Sequence, residues 1–404
     1  MFGRLVQKEL RHYLLDFRFV FVFAFCALLS ALSIYIGSRN HLLQLREYAA
    51  ISEHNRSALQ VRLAKGDLLG LRYRGYSWNR RPEVLSPIVY GLSGTLGQEI
   101  RIKYLWSFHF EGSLFTTDPV HALFGVLDLA FVVKIILSLC VLLFTYDAVC
   151  GEKEAGTLRL YASFPVSRSK LSLAKLCGST VAVLVPFAFA YLLASAVLAL
   201  SPEIGLQGED WIRVGLLMVV FALYLMVFAA FGLLASSLTH RRMVAFLGLL
   251  GLWTIWVFIV PDMALRVSRN TVPVQSIYDT ERRVSALRWE TREKKQVDIR
   301  KYWQNISVKN WDALSATQRQ ELMEGARKIE DKWNAEFYSH LSRLQEERRN
   351  QARQQQRLNT VLSMFSPLGA FNFVSMDLAR TGFIQQERIE NALNGHLVYM
   401  AQFI

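Results

Sequence analysis

Between two long apolar stretches, Asp147 to Leu171 (DAVCGEKEAGTLRLYASFPVSRSKL) crowds three acids, four bases, a Gly-Thr pair and a proline into 25 residues. Asp147, Glu152, Glu154 and Arg168 stand there without a nucleophile–base pair beside them, so the chemistry on offer is contact rather than bond making. A short helix after a tight turn, with Gly156 supplying the turn and Thr157 following it, makes a polar patch for a soluble partner. Two further charges, Asp128 and Lys134, fall inside an apolar stretch, where burying a charge costs a few kcal/mol and marks a cavity or a helix–helix contact. They are six residues apart, roughly 240° around a helix, and so do not form an obvious intrahelical pair. Lys134 reads as lying about midway along its span. A functional cavity and a structural contact with another chain both remain open for it.

Bond-making chemistry is missing elsewhere. No Walker loop occurs, so this chain is not expected to hydrolyse ATP itself, and the glycine-rich run Gly91 to Gly97 lacks a following Lys-Ser or Lys-Thr and reads as a turn. There is no HExxH, and the eight histidines have no metal-ligand spacing. Neither a GxSxG elbow nor a Cys-His pair points to hydrolysis. The expectation is a chain that is not an enzyme and has no metal or cofactor of its own.

Composition sets the class. At 404 residues, 52% hydrophobic and 20% charged, the chain is too apolar for an ordinary soluble protein and too polar for spans alone. Its formal charge of +13 arises from bases interleaved with acids through the long loops, which argues against nucleic acid as a partner. Cys26, Cys140, Cys150 and Cys177 all lie in or beside apolar runs, so no disulfide framework is implied.

The elements that must hold the polar stretch follow from periodicity. The fold class expected is mainly α: a polytopic membrane helix bundle of five spans with two large extracytoplasmic regions. Residues 1–16 form an amphipathic elbow and 17–37 the first span, whose apolar core is too long for a signal peptide. Residues 38–121 form the first external region, helical to about Leu69 and then strand and turn. Spans two to five are assigned to 122–146, 176–200 (with Pro186 as a kink), 214–238 and 243–260, the last closed by Pro261-Asp262. The connections are 147–175, 201–213 and 239–242. Residues 261–404 form the second external region. In it Leu322, Ala326, Ile329, Trp333, Phe337, Leu341 and Leu344 recur at helical spacing, predicting a helix that pairs with Thr280–Trp303 as a hairpin. Val361 to Val374, broken by Pro367 and Gly369, is too short to cross and is expected to lie on the outer surface. The short loops bearing Arg4, Lys8, Arg11 and Arg18, Lys153 to Lys175, and Arg241-Arg242 place the N-terminus and the polar stretch in the cytoplasm.

Glu152-Lys153-Glu154-Ala155-Gly156-Thr157-Leu158, followed by Pro165-Val166-Ser167-Arg168 and Lys175, resembles the signature of ABC-2 type (type V-like) permeases, the membrane subunits of ATP-driven exporters. Asp147 matches the acid that often precedes it. The resemblance implies that this loop holds a coupling helix seated on a separate cytoplasmic ABC ATPase, which would bind ATP and Mg. Asp147, Glu152, Glu154, Gly156, Thr157 and Arg168 are the positions carried over. It also implies a bacterial inner-membrane location and a second permease, identical or similar. Such permeases usually have six spans, so a last span is expected beyond this chain. The external inserts resemble those of permeases that work with periplasmic or lipoprotein partners, which leaves a mechanical role beside export. A receptor or scaffold is a third reading, but the inner loop is too small for an output domain.

Overall fold

The computed structural model describes residues 2–66, 75–94, 99–103, 107–111, 127–157, 167–306 and 315–401. The chain divides into two units, Met1–Met263 with Leu362–Ile404, and Ala264–Val361.

In the first unit, helix α1 (Phe2–Leu15) is amphipathic and leads directly into α2 (Phe17–Ala64). No break separates span one, assigned to residues 17–37, from the helix expected to follow it. Span and following helix are one rod of 48 residues, about 72 Å long at 1.5 Å per residue. Gly37 serves close packing here, since a Cβ added to it would stand 2.9 Å from the Pro87 carbonyl oxygen. Beyond α2, strands β1 (Tyr76–Asn79), β2 (Glu99–Lys103) and β3 (Ser107–Glu111) pair antiparallel in that order, Tyr76 opposite Ile102 and Ile100 opposite Phe110. Ile100 and Ile102 share one face by strand alternation and are buried with Leu393.

The helix of span two begins at Leu129, and residues 122–126 lie outside the described residues. Asp128 has extended backbone, and its side chain accepts from the Phe131 amide at 2.7 Å and the Tyr90 amide at 2.8 Å. A buried carboxylate used as an N-cap stops the helix from extending backwards. Helix α3 therefore runs as Leu129–Phe131, a π segment Val132–Leu137, and Ser138–Thr145. Lys134 consequently stands near the start of the span, about 9 Å along it, and not midway.

After a turn and the short helix α4 (Cys150–Glu154), spans three and four are α5 (Arg168–Ala199) and α6 (Gly208–Leu238), each beginning before its apolar run. Pro186 lies inside α5 without ending it. Span five, α7, is Arg242–Thr254, a π segment Ile255–Ile259, and Val260–Thr271. Pro261 does not close it. A proline interrupts a helix through its missing N–H and its clash with the carbonyl four residues back, and the wider π turn immediately before it relieves both. Among the described residues, five helices are long and apolar enough to cross a membrane.

The segment expected to lie on the surface is instead built into the bundle. Helix α10 (Pro367–Leu378, following α8 and α9 below) is capped by Ser366, whose Oγ also donates to the Trp256 carbonyl. Phe371, 3% exposed, packs its ring 4.4 Å from that of Tyr224 and 5.3 Å from that of Phe221. Length excluded a crossing, and the aromatic contacts decide that the segment is internal. A turn at Arg380 (φ 58°), where the Leu92 amide donates to the Thr381 carbonyl at 2.9 Å, leads to α11 (Phe383–Ala401).

The second unit contains the expected hairpin, α8 (Ile277–Asn305) against α9 (Ala316–Ser363). Its antiparallel sense follows from Tyr302 Oη donating to the Leu322 carbonyl at 2.9 Å and Gln275 N donating to Gln351 Oε1 at 3.3 Å. Residues 307–314, between the helices, lie outside the described residues.

Candidate functional site

Helix α4 has five residues, too few to persist on local hydrogen bonds. Its position must be imposed by neighbours, and three sets of contacts impose it. At its N-terminus Ser236, fully buried near the end of α6, accepts through Oγ from the Val149 amide at 2.9 Å and the Cys150 amide at 3.0 Å. These are two of the amides that a helix start leaves unsatisfied. At its C-terminus the Gly156 amide donates to the Lys153 carbonyl at 3.1 Å, and Gly156 takes φ +74°, a left-handed value that glycine adopts without strain. Thr157 Oγ1 donates to the Glu152 carbonyl at 3.3 Å.

The second set ties α4 to the connection between spans four and five. Lys153 Nζ donates to the carbonyls of Ser237 and Thr239, placing a cation on the C-terminal end of α6. Arg242 Nε stands 3.3 Å from Glu154 Oε2, and its guanidinium also donates to the Gly151 carbonyl at 3.3 Å. The Glu154–Arg242 pair is half exposed, so salt screens it and its net value is small, about 0–1 kcal/mol.

Glu152 faces the other way, into the protein. Its Oε1 lies 2.7 Å from Lys175 Nζ, and Glu9 Oε1 approaches the same ammonium at 3.8 Å. The Lys175 side chain is 4% exposed, that of Glu9 6% and that of Glu152 19%. Lys8 adds a second, more exposed cation 3.4 Å from Glu9. One buried ammonium thus joins the elbow helix α1, the short helix α4 and span three. Gly178, one turn beyond Lys175, allows the approach, because a Cβ there would stand 2.8 Å from the Glu9 Cβ. Tyr13, buried beside this cluster, has its phenol pushed well above the ordinary range, by burial first and then by the charges of Glu9, Asp147 and Glu152.

The positions named from the sequence are therefore placed as follows. Asp147 belongs to the charged surroundings of Tyr13, and its carbonyl accepts from the Gly151 amide at 2.9 Å. Glu152 is clasped internally, Glu154 is paired with Arg242, and Gly156 and Thr157 form the exit turn. Arg168 is the first residue of α5. Residues 158–166, which include the Pro165-Val166 part of the signature, lie outside the described residues. Glu9, Ser236 and Arg242 complete the site without having been marked out by their spacing. Glu9 was legible only as one of several charges on the polar face of α1.

Asp128 and Lys134 lie at the start of α3, the other end of which leads to α4. Asp128 uses both carboxylate oxygens on backbone amides. Lys134 is half-buried, with Nζ 5.7 Å from the centroid of the Phe131 ring, and its carbonyl accepts from Tyr224 Oη at 2.9 Å and from Ser138 Oγ at 2.7 Å. Among the described residues no group of three histidine, cysteine or acidic side chains could hold a metal ion.

A family model described as ABC-2 family transporter protein matches residues 4–402. The chain belongs to this family. A probable ABC transporter permease protein NosY of Stutzerimonas stutzeri is 32% identical over 149 residues, covering 36% of this chain and 51% of that protein. A probable NosY permease of Pseudomonas aeruginosa is 32% identical over 162 residues, 37% of this chain and 53% of that protein. The chain thus spans about half the length of these relatives. As an ABC-2 family member with five helices among the described residues able to cross a membrane, it is a multi-pass membrane protein.

Proposed function

We propose that this protein is the membrane-spanning subunit of an ATP-driven ABC-2 exporter of the inner membrane, with its N-terminus and α4 in the cytoplasm. A separate ATPase, binding ATP and Mg, would dock on α4, and a second permease, identical or similar, would complete the membrane part. The observation that carries this reading is the Glu9–Lys175–Glu152 clasp. A coupling element must pass displacement on without deforming. Here the short helix is fastened to the elbow and span three by buried charges, and to spans four and five by Ser236 and Arg242. A push on α4 therefore reaches four elements together, and rocking of the spans follows as a rigid-body shift between two packings. In this reading Glu152 acts as a positioning residue through Lys175. The outer face of α4 and the residues after Gly156 would meet the ATPase.

A mechanical variant rests on a separate observation. Helix α2 continues unbroken from span one to Ala64, and α7 continues helically from Arg242 to Thr271. Rods that leave a bilayer without a joint transmit motion beyond it. An extracytoplasmic partner, such as a periplasmic protein or lipoprotein, could receive that motion without any solute crossing.

The test is co-purification of the complex with its ATPase, followed by hydrolysis measurements with Lys175→Met and with Glu154→Ala. The clasp reading expects Lys175→Met to uncouple hydrolysis from the permease, and Glu154→Ala, at the exposed residue of α4, to weaken co-purification of the ATPase. Unchanged assembly and turnover in a folded Lys175→Met complex would remove the support for α4 as the coupling element.

A further inference from the structure

The foot of the α8–α9 hairpin differs chemically from its far part. Residues 264–283 and 349–361 carry seven arginines, two acids and no lysine, whereas five lysines are found in the described remainder of the hairpin, residues 284–306 and 315–348.

The hydrogen bonds bring the two arginine-bearing segments level with one another. Gln355 Nε2 donates to the Val272 carbonyl at 2.8 Å, and Arg348 Nε donates to the Gln275 carbonyl at 3.4 Å. Arg353 and Arg357 thus stand within about a turn of the level of Arg269, with Arg266 one turn further back. Arg282 and Arg283 begin the rising arm. All of these except the half-buried Arg353 are exposed.

Exposed apolar side chains are interleaved with them: Leu265 at 37%, Val267 at 42%, Tyr278 at 80% and Val361 at 59%. Arg266 and Arg269 also lie on the same continuous helix as span five, within two to three turns of its apolar run. Guanidinium groups bind phosphate oxygens in a two-pronged fashion that lysine does not reproduce. Apolar and tyrosyl side chains among cations suit the layer where phosphates meet acyl chains.

We propose that this foot is a lipid-binding collar, in which Arg266, Arg269, Arg353 and Arg357 hold the phosphates of anionic phospholipids in the leaflet at the Thr271 end of span five. The ligand chemistry is a phosphomonoanion on a lipid. The collar anchors the hairpin's foot to the membrane independently of what the coupling site does.

Native mass spectrometry of the full chain in detergent tests this, with added phosphatidylglycerol or phosphatidylcholine and with excess inorganic phosphate as a competitor. The wild-type chain is expected to retain phosphatidylglycerol in preference to phosphatidylcholine and to keep it against inorganic phosphate. A variant with Arg266→Gln, Arg269→Gln, Arg353→Gln and Arg357→Gln is expected to lose at least about fivefold of that binding, and the corresponding lysine variant part of it. Equal retention by wild type and the glutamine variant overturns the proposal, as does displacement of the lipid by inorganic phosphate. If the glutamine variant loses its helical circular dichroism, the wild type decides alone, since no preference for phosphatidylglycerol over phosphatidylcholine overturns the collar.

Discussion

Lys175 Nζ lies 2.7 Å from Glu152 Oε1, with the lysine side chain only 4% exposed and the carboxylate turned into the protein. Two acids, Glu152 and Glu9, share this one buried ammonium. Lys175→Met removes the cation and leaves both carboxylates facing each other, a loss on the order of 3–5 kcal/mol for breaking a buried pair. Thermal unfolding in detergent is expected to show a large drop, and Glu9→Gln combined with Lys175→Met is expected to recover part of it. A double variant no more stable than Lys175→Met alone would show that the carboxylates do not repel there.

Ser236 holds the start of α4 by accepting from two amides. Ser236→Ala is expected to cost about 1 kcal/mol, as loss of an N-cap does. Because the loss falls on a five-residue helix, amide exchange should quicken at Val149 to Glu154 while the spans remain protected. Uniform exchange across α4 and α6 would contradict this local role.

Asp128 accepts the amides of Tyr90 and Phe131 in a buried position. Asp128→Ala leaves both donors unsatisfied, at about 1–3 kcal/mol each. Asp128→Asn keeps one acceptor and is expected to fall between. If both variants unfold like wild type, the carboxylate is not what starts span two.

Gly232 in span four meets the Thr145 side chain of span two so closely that an added Cβ would overlap it. Gly232→Ala is therefore expected to destabilise the bundle by about 1–3 kcal/mol through overpacking, although alanine is the better helix former. A stability gain would mean that the two spans separate more readily than their packing indicates.

Tyr224 Oη donates to the Lys134 carbonyl, which also accepts from Ser138 Oγ at 2.7 Å inside the π segment. Tyr224→Phe keeps the ring against Phe371 and removes the hydroxyl's contacts with the Lys134 carbonyl and Ser138, so a loss of about 0.5–1.5 kcal/mol is expected in the same unfolding measurement. An unchanged midpoint would show that the turn does not need the hydroxyl.

Apolar runs, the short basic loops and the Glu152-to-Lys175 signature were enough, read along the chain, to establish a helical membrane protein, its five spans and its family. The hairpin was equally legible, because Leu322 to Leu344 repeat at a spacing that only a helix places on one side. Span boundaries were less so. Whether Gly37 admits Pro87, and whether Pro261 stops span five or follows a π turn, depends on neighbours far along the chain. The placement of α10 belongs with these, since fourteen apolar residues can lie on a surface or fill a bundle. The inward turn of Glu152 was decided last of all, by Lys175 and Glu9 arriving from other helices. A charge's partner is a matter of distance in space, and spacing along one strand of sequence carries no information about it.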